Sequence, residues 1–327
     1  MFGFVGVGIS SGSYGLQRRD RTALCASDAA VFSEYLEDVA NLKAPKYLRS
    51  LLDVLEAKGE KIGDPSKRAG LHPFLIPISS DEEGTTGFLR WPTPPPDMEV
   101  PIVRNAKGEM GLTLLSTGAE NFIKRHMAEL DSAAKPADVS VPEELQIAEG
   151  EVESLGFGLE RYVILKIGPF PDIYEGLTRF HEIKGDMQSA LVCAERSGVA
   201  FPGWARGHCF HARLLQRFNR NSEARDAARY ALQLPLWTLG DSLQEMGQIA
   251  GYQDETSLQK IFKRLAEDER ENEIKDGKPK EQVALDRAAY LMDYTYAAGG
   301  SWDEIKDELA ALYNEGMVTD SASFLKA

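Results

Sequence analysis

The sequence predicts an α+β N-terminal domain with a small antiparallel sheet, followed by an all-α domain of helical hairpins. Three observations carry this. Short apolar runs broken by Pro and Gly occupy residues 71–117, helical periodicity dominates after residue 155, and two alanine pairs recur 34 residues apart in the second half. With 327 residues the chain has room for about two domains.

The first element is an arm. Residues 1–27 hold one acid, Asp20, against Arg18, Arg19 and Arg21, with interspersed Ser and Thr, and this bias fits an organelle transit segment or a disordered arm. Within it, Gly6-Val7-Gly8-Ile9-Ser10-Ser11-Gly12 is similar to a dinucleotide-binding glycine loop, but Ser13 to Arg21 lacks the helical stripe such a loop must open. No cofactor is expected.

Residues 28–134 read as the α+β domain. Val31, Phe32, Tyr35, Leu36 and Val39, then Leu48, Leu51, Leu52 and Leu55, recur at helical spacing and predict a helical hairpin over residues 29–58. Phe74 to Ile78 and Gly87 to Trp91 read as strands, and Pro77 assigns the first to an edge. Val100 to Val103 and Met110 to Leu115 flank the hairpin turn Asn105-Ala106-Lys107-Gly108. A helix then presents Phe122, Ile123, Met127 and Leu130 on one face. Residues 135–154, rich in Ala, Pro, Glu and Ser, read as a linker whose acids are a solvated run.

Residues 155–327 carry the repeat. After Gly185-Asp186 come Ala190 and Ala194, and after Asn219 to Ser222 come Ala224 and Ala228, each shifted by 34. Antiparallel helices approach closely only where facing side chains are short, so these alanines mark where a second helix meets its first. The period, the small residues, Ala231 and Pro235 resemble tetratricopeptide repeats over about residues 170–270; a plain helical bundle is the alternative. The first helix of the later copy, about Trp204 to Phe218, brings Phe210, Leu214, Leu215 and Phe218 to the shared core. A degenerate third unit joins Leu243, Met246 and Ile249 to Leu258, Phe262 and Leu265. Helices over Glu281 to Ala297 and Ser301 to Tyr313, the second opened by a Ser301/Glu304 capping box, are expected to close the stack.

Fifty-one acids against 37 bases give a net charge of −14, which argues against nucleic acid as a partner. No run approaches 18 apolar residues, so no transmembrane helix is expected, and Cys25, Cys193 and Cys209 form too sparse a set for a disulfide framework. His208, Cys209, His211 and Cys193 are the one cluster of metal-ligand type; without a Cys-x-x-Cys pair, Cys193 and Cys209 read as small buried packing residues, and no metal is expected. No nucleophile signature is present, so no catalytic residue is assigned. Trp91, beside Pro94-Pro95-Pro96, is either a docking plate or a core residue on a rigid connection, and Trp237 either lines a groove or joins two repeats. The candidate partner-binding residues are therefore Trp91, His208, His211, Arg213 and Trp237.

The transit-like arm, the Arg90 to Pro101 stretch, the run Ala231 to Gly240 and the run Leu285 to Asp293 resemble a group of plastid-targeted, tetratricopeptide-like proteins of plants and algae, the chloroplast ATP synthase biogenesis factors. The resemblance spans about residues 40–320 and transfers no catalytic residue. It implies a location in the chloroplast stroma or on the stromal face of the thylakoid. The implied role is a non-catalytic adaptor or assembly factor that holds a protein partner, a subunit of a photosynthetic complex. A permanently bound peripheral subunit, and an enzyme with its site between the two domains, are the alternatives.

Overall fold

The computed structural model describes residues 28–95, 98–137, 139–252 and 272–327. The arm with its glycine loop, and Leu258, Phe262 and Leu265 of the third unit, lie outside these residues. The order of an α+β region followed by an all-α region is present as expected.

A five-stranded meander forms the base of the fold. Its strands are β1 (Lys61–Ile62), β2 (Leu75–Ser80), β3 (Gly84–Leu89), β4 (Ile102–Ala106) and β5 (Thr113–Ser116), each antiparallel to the next. Because β1 pairs only with Ser79 and Ser80, the Pro77 region of β2 is an edge, and a register shift falls between Pro77 and Ser79. Phe74, Leu75, Ile76 and Ile78 are all fully buried. Successive strand side chains point to opposite faces, so this run requires cover on both.

Helices from the two ends of the chain supply that cover. From the N-terminal side come α1, over residues 28–39 with a closing π-type turn, α2 (Leu48–Ala57) and α3 (Ala119–Ser132). Phe32, Leu36, Leu51, Leu52, Leu55 and Ile123 enter one core with the strands. Residues 139–154, within the stretch expected as a linker, pack along α3. Val141 and Leu145 reach the main core, Val152 joins Tyr162 and Phe170, and Asp131 accepts hydrogen bonds from the backbone of Gly150 and Val152.

The middle of the chain stacks as hairpins. These are α4 (Pro171–Ile183) with α5 (Met187–Ala200) and α6 (Arg206–Arg217) with α7 (Asn221–Ala231), followed by α8 (Leu243–Ile249). Ala190, Ala194, Ala224 and Ala228 are buried at the helix contacts, as the 34-residue echo requires. α5 and α6 approach closely. A Cβ on Gly207 would stand 2.7 Å from the backbone of Ser197 and Gly198, so this crossing needs glycine for space rather than for its dihedral angles.

The last helices go elsewhere than expected. After α9 (Lys280–Ala298) come α10 (Trp302–Glu315) and an unanticipated α11 (Thr319–Lys326). Ala288, Met292, Trp302, Leu309, Tyr313 and Phe324 join the core of the sheet, while Tyr296 and Ala297 of α9 also pack on the core of the stack. The fully buried run of β2 offers them apolar surface. Phe324 lies 6.3 Å from the Phe74 ring and 3.6 Å from the Arg68 guanidinium, and Arg68 donates to the Phe324 carbonyl at 2.8 Å. Ser301 occupies the α10 N-cap with extended backbone, yet its side chain makes no capping bond.

Two outcomes follow from this packing. Gly207→Ala is expected to cost about 1–3 kcal/mol, read by urea denaturation, because backbone rather than a side-chain tip must move. Asp293 on α9 accepts a 2.7 Å bond from the Leu236 N–H, and burial pushes its carboxyl up to about 7. The unfolded carboxyl ionises near 3.8, so between these values the native state carries the extra proton and stability falls as pH rises. Asp293→Asn keeps an acceptor for Leu236. Its denaturation midpoint is expected to match the parent at pH 4 and to exceed it at pH 8.

Candidate functional site

The first helices of the hairpins, α4, α6 and α8, face a common cavity of about 670 Å³. Arg206, Phe210, Arg213 and Arg217 line it from α6. Their spacing of four, three and four residues places them on one stripe of the helix. Glu175 and Arg179 enter from α4, Glu245, Gln248 and Ile249 from α8, and Gly240 and Asp241 from the loop before α8.

Glu175 anchors this wall. Its side chain is 7% exposed, and both its oxygens accept from Arg206, from Nε at 2.7 Å and from Nη2 at 3.2 Å. Such a fork fixes the guanidinium plane and compensates the buried carboxylate. Around it the cations are more open. Arg179 reaches Glu175 at 3.4 Å, Arg217 reaches Glu182 at 3.2 Å, and Arg213 bridges Asp241 and Glu245. Burial raises the pKa of Asp241, against the opposing pull of the Ser242 backbone bond and of Arg213.

The five candidate residues separate into three places. Arg213 lines the cavity. His208 and His211 lie on the opposite side of α6 from the arginine stripe, as the 100° step per residue dictates. His208 packs over Gly198 and meets the Tyr230 ring edge-on at 4.6 Å. Burial is the main cause lowering both imidazole pKa values. Trp91 and Trp237 sit together instead, 5.5 Å apart, with Trp204 completing a triangle. Trp237 is 3% exposed and Trp91 is partly buried against it. Cys209 is buried in the stack core, and burial pushes its thiol up to about 12.

Sequence reasoning missed Arg179, Arg206, Phe210 and Arg217. The α6 members were detectable as a polar stripe with one aromatic, but the histidines drew attention because they resemble ligands. Arg179 carried no such signal, since its position depends on how α4 crosses α6.

A second cavity, of about 400 Å³, lies between the sheet and the first hairpin, where an enzyme site would have been sought. Its charged groups engage one another. Arg125 forks onto Asp172 at 2.8 and 2.6 Å and also meets Glu129 at 2.8 Å, while Arg104 holds Glu60 and Asp81. Burial works to raise the Asp172 pKa, and the bonds and charge of Arg125 overcome it, so the carboxyl stays below its ordinary value. Among the described residues no group of three or more His, Cys, Asp or Glu converges as a metal site, and no helix is long and apolar enough to cross a membrane.

A meander-based domain fused to stacked helical hairpins, with a charged cavity on the shared wall of the hairpins, defines a scaffold architecture. Three family models match successive parts of the chain: PAB N-terminal over residues 30–154, PAB middle domain over 171–253 and PAB C-terminal domain over 258–327. The chain is also similar to the Arabidopsis thaliana protein IN CHLOROPLAST ATPASE BIOGENESIS, chloroplastic. The two are 35% identical over 318 residues, which cover 94% of this chain and 93% of the relative. The chain belongs to this family and is a plastid protein.

The Glu175–Arg206 fork makes a measurable claim. Arg206→Ala leaves Glu175 buried with only the longer Arg179 contact and is expected to cost about 3 kcal/mol in denaturant unfolding. The double variant Glu175→Gln/Arg206→Gln is expected to lose less than Arg206→Ala alone.

Proposed function

We propose that the chain is a non-catalytic assembly factor for the chloroplast ATPase. In this reading it holds a segment of an assembling polypeptide against the wall formed by α4, α6 and α8. The observation that carries this is the near end-to-end similarity to a protein named for chloroplast ATPase biogenesis. The cavity supplies a physical means. Packed hairpins present a preformed wall, so ordering on binding falls mainly on the incoming segment, and affinity stays modest enough for release.

Removal of the protein from plastids is expected to lower the amount of fully assembled ATPase on native gels while other photosynthetic complexes persist. The protein itself is expected in the soluble fraction, away from the mature complex. Stoichiometric co-migration with the mature ATPase through salt washing would instead establish a permanent subunit.

A further inference from the structure

The charge of the α4–α6–α8 cavity runs against that of the rest of the molecule. In a chain where acids outnumber bases 51 to 37, four arginines line this one space against three carboxylates. One of those carboxylates, Glu175, is buried and spent on Arg206. The remaining cations sit toward solvent, with side-chain exposures of 64% for Arg179, 55% for Arg217 and 40% for Arg213.

We propose that the cavity receives an acidic segment of a partner polypeptide, whose carboxylates are taken by Arg179, Arg213 and Arg217 while an apolar side chain rests on Phe210 and Ile249. This rests on the assembly-factor reading and names the chemistry of what is held. Arginine suits the task because its planar fork grips a carboxylate through two bonds and it remains charged at any physiological pH. Of the present partners of the rim arginines, Glu245 is 60% exposed and the Arg179–Glu175 contact is 3.4 Å long, whereas Asp241 and Glu182 are 16% and 19% exposed. Exposed ion pairs contribute little, about 0–1 kcal/mol each, so an incoming carboxylate displaces the Glu245 contact of Arg213 and the long Arg179–Glu175 contact at small cost, Glu175 keeping its fork with Arg206. The Arg206–Glu175 fork, by contrast, stays closed and keeps the wall rigid.

The floor is mixed rather than wholly charged. Phe210 and Ile249 are half-buried, and the Arg179 guanidinium stands 6.0 Å over the Phe210 ring. A volume of about 670 Å³ holds a few side chains of an extended segment and is too small for a folded domain. A nucleic acid would meet the same arginines, but the field of a chain carrying −14 opposes its closely spaced phosphates more strongly than the sparser carboxylates of a peptide segment.

The test is a fluorescence-anisotropy titration of the full chain against a labelled peptide of alternating Glu and Leu, with its Gln-for-Glu counterpart and a labelled oligonucleotide as comparisons. The acidic peptide is expected to bind with a Kd that rises with salt, and the Gln peptide to bind at least tenfold more weakly. Arg179→Ala/Arg217→Ala is expected to weaken the acidic peptide at least tenfold. Arg220→Ala, which removes a surface pair with Glu223 outside the cavity, is expected to leave it unchanged. Circular dichroism checks that both variants fold. Equal binding of the two peptides, an unaffected double variant, or tighter binding of the oligonucleotide overturns the proposal. Introducing the same variants into plastids lacking the protein separates the two levels of inference. Loss of peptide binding with ATPase assembly fully restored overturns the acidic occupant and leaves the assembly role standing, whereas failure of the parent chain to restore assembly overturns the role itself.

Discussion

The three-residue turn Leu236–Thr238 is the joint on which the architecture depends. Its backbone and side chains tie three parts of the chain at once. The Leu236 N–H donates to Asp293 of α9, the Trp237 carbonyl accepts from Leu112 before β5, and the Thr238 hydroxyl oxygen accepts from the Ala205 N–H at the start of α6. Around it gather all four tryptophans of the sequence. Trp91 and Trp204 contact Trp237 directly, and His72 lies 4.4 Å from Trp237 and 5.0 Å from Trp302. Large flat side chains bury more area per residue than aliphatic ones and tolerate tilted contact, which suits a place where sheet, stack and C-terminal helices meet at unlike angles.

This joint decides what the hairpins present. With Ala205 fixed to Thr238, α6 leaves the joint in a set direction, and the close crossing at Gly198 and Gly207 lets α5 lie against it. The face of α6 carrying Arg206, Phe210, Arg213 and Arg217 is then turned toward α4 and α8, and its other face, with His208, toward α5 and α7. Charge follows the same division. Glu175 is buried and clamped, so it orders the wall, while the rim arginines remain within reach of solvent.

Much of the fold was legible in the chain. The helices of residues 28–58, the hairpin around Lys107-Gly108, α3, the two alanine-marked hairpins and the helices from Lys280 to Glu315 all follow from periodicity and turn chemistry. The failures share a cause. Residues 135–154 lack large apolar runs, yet Val141, Leu145 and Val152 find cover because α3 lies beside them. The short α11 is held through Phe324 by Phe74 and Arg68, more than 200 residues away along the chain. Burial of such isolated residues depends on neighbours that local pattern does not name.

By itself the sequence determined the class of most segments and the family resemblance, because helix period, strand alternation and small-residue spacing are local properties written along the chain. It also carried the arginine stripe of α6, since four residues at helical spacing share a face wherever the helix goes. Only the tertiary structure decided that the stripe faces a cavity and the histidines do not, that Trp237 is a joint, and that the last helices cover the sheet. Each of these depends on which surfaces meet, and that is settled by burying complementary apolar faces across distant parts of the chain.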